Sequence, residues 1–258
     1  MKFKYLALFI LFLQLNNRSK AQSISLNSDS FISIHAGSFI NVSTVLQGDQ
    51  TIKILDRYNT PGITAGLSYD HEKKHLTFSA GIGGRIIPFG FQTIVQRKDL
   101  EPTDFAFDFV IKNSQYDHIL ANIPLKIGYQ TLANKSNQKF WVNTGISINF
   151  SGEKAESYSY GYTPTNSNQS LTFLSFKSNS QKRTFIAYDL GLGITQVKKN
   201  GNQIKFGLNL YANVSGIDFI NAKYIVNLKD KSYTGSYHLP ASAVGFNIAY
   251  SFKQHKNR

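Results

Sequence analysis

The sequence predicts an all-β fold, an eight-stranded antiparallel up-and-down transmembrane β-barrel with short periplasmic turns and long external loops. Three observations carry that expectation. First, Ala241 to Phe252 (ASAVGFNIAYSF) alternates strictly. Val244, Phe246, Ile248, Tyr250 and Phe252 fall on one face and Ala243, Gly245, Asn247, Ala249 and Ser251 on the other, because strand side chains alternate sides. Second, seven earlier segments repeat this two-faced pattern, and their connections alternate long and short, as in barrels that cross a membrane. Third, glycine falls on the small, polar face of every one of these strands, as at Gly37, Gly66, Gly145 and Gly207. A water-exposed strand face gains nothing from so much glycine, whereas a crowded lumen does. The bulky face therefore points to lipid.

Composition agrees. The chain has 258 residues, 41% apolar and 17% charged, with 20 Phe and 14 Tyr against one Met and one Trp, a balance that favours strands. It has no cysteine, which excludes disulfides, a thiol nucleophile, a thiolate metal site and an acylated cysteine anchor. Residues 1–21 read as a cleaved signal peptide, with Lys2 and Lys4 before an apolar run from Tyr5 to Leu15 and small residues at Ser19 and Ala21. A run of eleven residues is too short for a spanning helix, which needs roughly 20. Loss of Lys2, Lys4, Arg18 and Lys20 lowers the formal charge from +13 to +9. Residues 22–258 are expected to form one outer-membrane barrel domain, with no second soluble domain.

In order, strands are expected at Phe31 to Val42, Gly62 to Asp70, His75 to Ile86, a fourth ending at Gln130, Lys139 to Phe150, Arg183 to Val197, Gln203 to Val214 and Ala241 to Phe252. HEKK, NKSNQ and KKNGN are the short turns, the last with an Asn-Gly pair that accepts positive φ. The third strand is expected to give way to an irregular stretch, PFGFQTIVQRKDLEPTDF. Phe105, Phe107, Phe109 and Ile111 share their odd-numbered phase with Ile119 to Tyr129, so strands three and four are expected to project past the membrane as a hairpin tipped near Lys98 to Thr103. Pro124 lacks a ladder donor and should cause a bulge or local break. The Tyr/Ser/Asn-rich stretch Ser151 to Lys182 reads as a flexible exposed loop, and Ser215 to Pro240 as a long connection.

His118 to Gln130 (HILANIPLKIGYQ), with its Ile-Pro-Leu core, resembles a strand of the small outer-membrane β-barrel, porin-like or PorT-like family of Gram-negative bacteria. The signal segment and the closing GFNIAYSF share in the resemblance. It implies a fold and a location, and allows a role beside a secretion system.

The candidate site residues lie on both faces. Asp70, Arg85, Lys126, Asp189, Lys205 and His35 fall on the small-residue face and are expected to form a paired polar network in the lumen, because unpaired charge there would be costly. Tyr69, Phe78, Tyr129, Phe140, Tyr250 and Phe252 stand near the short-turn ends and are expected to form an aromatic girdle. Lys73, Lys74, Lys135, Lys139, Lys198, Lys199, Lys253, Lys256 and Arg258 mark the periplasmic rim. His71 and His75 carry the HExxH letters in HEKKH, but that spacing brings two ligands together only on a helix, and here they flank a tight polar turn and are expected as solvated polar residues. No nucleotide-binding motif is present, and no nucleophile, base and orienting group stand at a recognisable spacing. The expectation is a monomeric, non-enzymatic outer-membrane protein without a cofactor, acting through its external loops. The alternatives are a narrow passive channel for small solutes and a barrel enzyme acting on outer-membrane lipid. Expected partners are outer-membrane lipid, the barrel-insertion machinery reading the C-terminal strand, and an extracellular or secretion-system protein, but not nucleic acid.

Overall fold

The computed structural model describes residues 28–48, 55–102, 108–180 and 183–254. Eight long strands close into a barrel: β1 (Ser28–Asn41), β4 (Gly62–Lys73), β5 (Leu76–Val95), β6 (Phe109–Gln130), β7 (Gln138–Ser151), β10 (Arg183–Val197), β11 (Gln203–Asn213) and β14 (Ala243–Gln254). All neighbours are antiparallel, and β1 pairs with β14 from Ser30↔Gln254 to Asn41↔Ala243, which closes the ring. The short turns lie at the end that carries both termini of the barrel. In the last of them Gly201 adopts φ +83°, as the Asn-Gly pair requires.

The barrel's polarity is inverted relative to a soluble protein. Phe246 is 45% exposed, Leu208 53% and Ile82 62%, all on the outside, while Ser33, Asp70, Ser147, Asn149 and Asp189 are buried inside. A wall of exposed aliphatic and aromatic side chains is stable only against acyl chains, so this is a transmembrane barrel.

The second strand runs to Lys73, three residues beyond its expected end, so the turn is only Lys74 and His75. Pro124 opens a gap in the β5–β6 ladder without changing its register. The bulge lies instead between Ile87 and Phe89, where β6 carries one extra residue opposite Pro88. A single inserted residue sends the following side chains to the other face. Hence Ile111 packs into a core although Ile119, in the same numerical phase, faces outward. Phe105 and Phe107 lie outside the described residues, as does the 1–21 segment.

The largest departure from expectation lies above the barrel. The stretch after Ile86 is not irregular: β5 continues to Val95 and pairs with β6 up to Val95↔Phe109, followed by a single 3₁₀ turn at Arg97–Asp99. The projecting hairpin is therefore present. The stretches expected as loops form further strands, β2 (Val45–Gly48), β3 (Leu55–Arg57), β8 (Lys154–Tyr162), β9 (Leu171–Ser180), β12 (Ile220–Asn227) and β13 (Ser232–Leu239). β3 joins the edge of β5, and the others make a separate five-stranded sheet in the order β2-β13-β12-β9-β8. This upper sheet packs on the projecting hairpin as a sandwich. Phe89 and Phe91 from β5 meet Phe176 of β9 and Tyr237 of β13, with Phe91 and Phe176 stacked at 4.6 Å between centroids. The reading of 151–182 as a flexible loop is thus corrected. In SYSYGY the tyrosines point inward, where Tyr158 and Tyr160 pack against the core and Tyr162 is buried, and the serines and glycine point out.

Candidate functional site

Two places gather polar side chains. The first is the lumen. Asp70 accepts hydrogen bonds from Ser33 at 2.7 Å and Ser79 at 2.6 Å, and pairs with Lys205 Nζ at 3.0 Å. Lys126 stands 3.4 Å from Asp189, which also accepts from Ser147. Arg85, 1% exposed, donates to Asn149 Oδ1 at 2.7 Å and stacks on the Tyr211 ring at 4.6 Å. His35 lines a cavity of about 110 Å³ together with Asp70, Lys126, Asp189 and Lys205. Sequence reasoning missed a second acidic centre. Glu72 accepts from Gln130 at 2.7 Å and Gln203 at 3.2 Å and pairs with Lys139 at 3.1 Å. The parity of Glu72 with Asp70 was a usable signal, hidden by ending the strand at Asp70. Lys139 therefore points into the barrel and is not a rim residue. Lys253 pairs with Asp29 at 2.9 Å, and Lys256 and Arg258 lie outside the described residues.

Trp141, the single tryptophan, lies across Gly193 and Gly207 inside the barrel. A Cβ at Gly193 would stand 2.7 Å from the indole and one at Gly207 would overlap it, so both positions need glycine for packing space. Above the cavity the lumen turns apolar. Phe39, Leu120, Phe185 and Tyr211 at the upper strand ends join Phe219, Ile220, Leu239 and Ala241 in one cluster continuous with the sandwich core. His118 packs against this cluster, edge-on to Phe89 and Phe219 and 3.8 Å from Glu156.

The aromatic residues picked out in the sequence all lie on the outward face near the short-turn end. Tyr69, Phe78, Phe140 and Phe252 are exposed, Tyr250 meets Phe252 edge-on, and Tyr129 is stacked on His75.

The second place is the outward face of the upper sheet. Cross-strand partners put Ser157, Lys177, Lys223, Ser236 and Gln47 in one transverse row. In the next row His238 lies beside Asn221, and Asn221 beside Asn179. His238 Nε2 is 2.8 Å from Ser236 Oγ, and its Nδ1 is 2.8 Å from Asp218 Oδ2. Beyond the Ser-x-His spacing nothing local points to this trio, because Asp218 arrives from the segment before β12. Inside the same sheet, burial pushes the Tyr237 phenol, whose hydroxyl donates to the Gly90 carbonyl at 3.3 Å, up to about 12. Burial also raises Tyr160 and Tyr224. Among the described residues no group of three or more His, Asp or Glu is placed to hold a metal ion.

No protein-family model and no curated protein matches the chain. Among solved structures it is similar to Neisserial surface protein A, at 9% identity and a TM-score of 0.39 over 88% of this chain and 99% of that one. It is also similar to the β domain of the Bordetella autotransporter Brka, at 10% identity and a TM-score of 0.25 over 87% and 98%. A third is the translocator domain of the autotransporter NalP from Neisseria meningitidis, at 9% identity and a TM-score of 0.21 over 96% of each chain. The barrel is read from this chain's own strand order and polarity.

Proposed function

We propose that the chain is an integral outer-membrane protein in which the barrel is a monomeric, closed scaffold that does no chemistry itself, and the upper sheet is the working surface displayed outside the cell. The observation that carries this is the single apolar cluster joining the barrel mouth to the sandwich. A channel has no use for a folded sheet sealed onto its outer end. The eight-strand diameter, the ion pairs of Asp70, Glu72 and Asp189, and Trp141 across the lumen all favour a plug over a pore. The aromatic residues at the short-turn end would sit in the periplasmic headgroup layer, and the closing strand, with Tyr250 and Phe252, would be what the insertion machinery reads. The likeness of HILANIPLKIGYQ to PorT-like strands supports a secretion-system or other surface protein as partner.

The test has two parts. In planar bilayers the protein should give no steady nanosiemens conductance, and such openings would overturn the closed-scaffold reading. On intact cells a membrane-impermeant amine reagent should label Lys177 and Lys223 but not Lys198 or Lys199. The reverse pattern would overturn the orientation.

A further inference from the structure

We propose that Ser236, His238 and Asp218 form an ester-hydrolysing site on the outward face of the upper sheet, with Ser236 the nucleophile, His238 the general base and Asp218 its positioning residue. The substrates are carboxylic esters that carry a negative charge. The inference rests on the reading of this sheet as the surface displayed outside.

The geometry meets the demands of acyl transfer in order. A serine hydroxyl is a weak nucleophile unless a base stands within hydrogen-bond reach, and that base must be oriented by a third group. Ser236 Oγ lies 2.8 Å from His238 Nε2. The carboxylate of Asp218 lies 2.8 Å from Nδ1, which places the ring proton on Nδ1 and leaves the Nε2 lone pair facing the hydroxyl. The side chains of His238 and Asp218 are 28% and 30% exposed, open enough to be reached from solvent.

The trio is held from beneath. Ser236 and His238 are two apart on β13 and so share a face. Each contributor is followed by a buried anchor, Phe219 after Asp218 and Leu239 after His238, and the Phe219 N–H donates to the Leu239 carbonyl at 2.8 Å. Asn213 Nδ2 ties the two segments together, donating to Ile217 O at 2.7 Å and Pro240 O at 2.6 Å. Arg183 Nη1 donates to the Asp218 carbonyl at 3.1 Å. A chance surface contact has no such supporting shell.

Charge identifies the substrate class. Lys223 is the cross-strand neighbour of Ser236 on one side and of Lys177 on the other. Like charges directly opposite one another destabilise a sheet, and among the described residues no carboxylate pairs with Lys177 or Lys223. Lys223, directly across the ladder from Ser236, is the cation in register to stabilise an oxyanion formed there, and Lys177 one strand further out extends the positive charge toward a substrate's own anion. The step is balanced by water alone. The Ser236 proton passes to Nε2 as Oγ bonds the carbonyl carbon. The ester C–O bond breaks and the alcohol leaves with that proton. Water then releases the acid and restores the hydroxyl.

The experiment uses the full folded chain in detergent micelles and in vesicles. A fluorophosphonate probe should modify Ser236, as located by mass spectrometry. Hydrolysis of p-nitrophenyl acetate and of its anionic hemisuccinate analogue should fall to the uncatalysed rate in Ser236→Ala and His238→Ala, and about 10- to 1,000-fold in Asp218→Asn. Lys177→Gln combined with Lys223→Gln should lower kcat/KM for the anionic ester about tenfold more than for the neutral one. Fatty-acid release from phosphatidylglycerol vesicles, and its absence, separates a lipid ester from a soluble one as the source. Each variant must keep the gel shift of a folded barrel on boiling. No adduct at Ser236, or unchanged hydrolysis in a folded Ser236→Ala, overturns the proposal. If Lys177 and Lys223 are nevertheless labelled from outside, the reading of the sheet as an external surface stands without it.

Discussion

The barrel and the sandwich above it are built from the same chain with opposite polarity. In the barrel the bulky side chains face out and the lumen holds Asp70–Lys205, Glu72–Lys139 and Asp189–Lys126 pairs. In the sandwich Phe89, Phe91, Phe176 and Tyr237 face in, and the outer face carries Ser157, Lys177, Lys223 and Ser236. β5 crosses from one regime to the other without a break: Ile82 faces outward on one side of it, while Phe89 and Phe91 sit in the core. The same alternation therefore serves two solvents. What differs is which face each solvent leaves wet.

That contrast can be broken region by region. Phe89 is fully buried and meets Phe91, His118, Tyr158, Phe176 and Tyr237, so Phe89→Ala should cost about 3–5 kcal/mol within the sandwich. Limited proteolysis should then cut the upper segments while the gel shift of the barrel persists. Joint loss of both would mean that the two regions fold as one unit. Leu208→Arg, on the lipid face, should cost about 2–4 kcal/mol in a bilayer unfolding titration. Ile225→Arg, on a sandwich position of similar exposure, should change stability by less than about 0.5 kcal/mol. Equal costs would erase the distinction between lipid and water.

The alkaline limit should also differ. The Tyr237 phenol is held up at about 12, while in the unfolded chain it ionises near 10. Below pH 10 both states are neutral and stability is unaffected. Between pH 10 and 12 the unfolded state ionises first, so the sandwich loses roughly 3 kcal/mol. Near-ultraviolet circular dichroism should follow this loss, and Tyr237→Phe should shift it to higher pH. Among the buried groups the smallest loss is expected from Asp70→Asn. It strips Lys205 of its nearest partner but leaves Glu72 at 3.7 Å, so about 2 kcal/mol is expected in thermal unfolding, below the full penalty of an orphaned buried charge.

The barrel was legible in the sequence because lipid on one side and a narrow lumen on the other force a strict two-residue period, as in AVGFNIAYSF. Charges could be assigned to the lumen by parity, but not to each other. That Asp70 meets Lys205, 135 positions away, depends on ring closure, which no local pattern encodes. The sandwich was illegible for two physical reasons. Its β8 strand buries tyrosines between serines, a pattern of weak hydrophobic contrast that resembles a polar loop. And the bulge opposite Pro88 reverses the phase of β6, so that Ile111 and Ile119 obey one numerical rule and opposite environments. The Ser236–His238–Asp218 trio was hidden for the reason that hides most sites of its kind: its third member comes from a different element.

The inversion of polarity between the two regions is tested most directly by quenching with bromine-labelled acyl chains. In a Trp141→Phe background, a single tryptophan placed at Leu208 should be strongly quenched by brominated lipid, and one placed at Phe173, buried in the sandwich, should not. Quenching at position 173, or its absence at 208, would contradict the account.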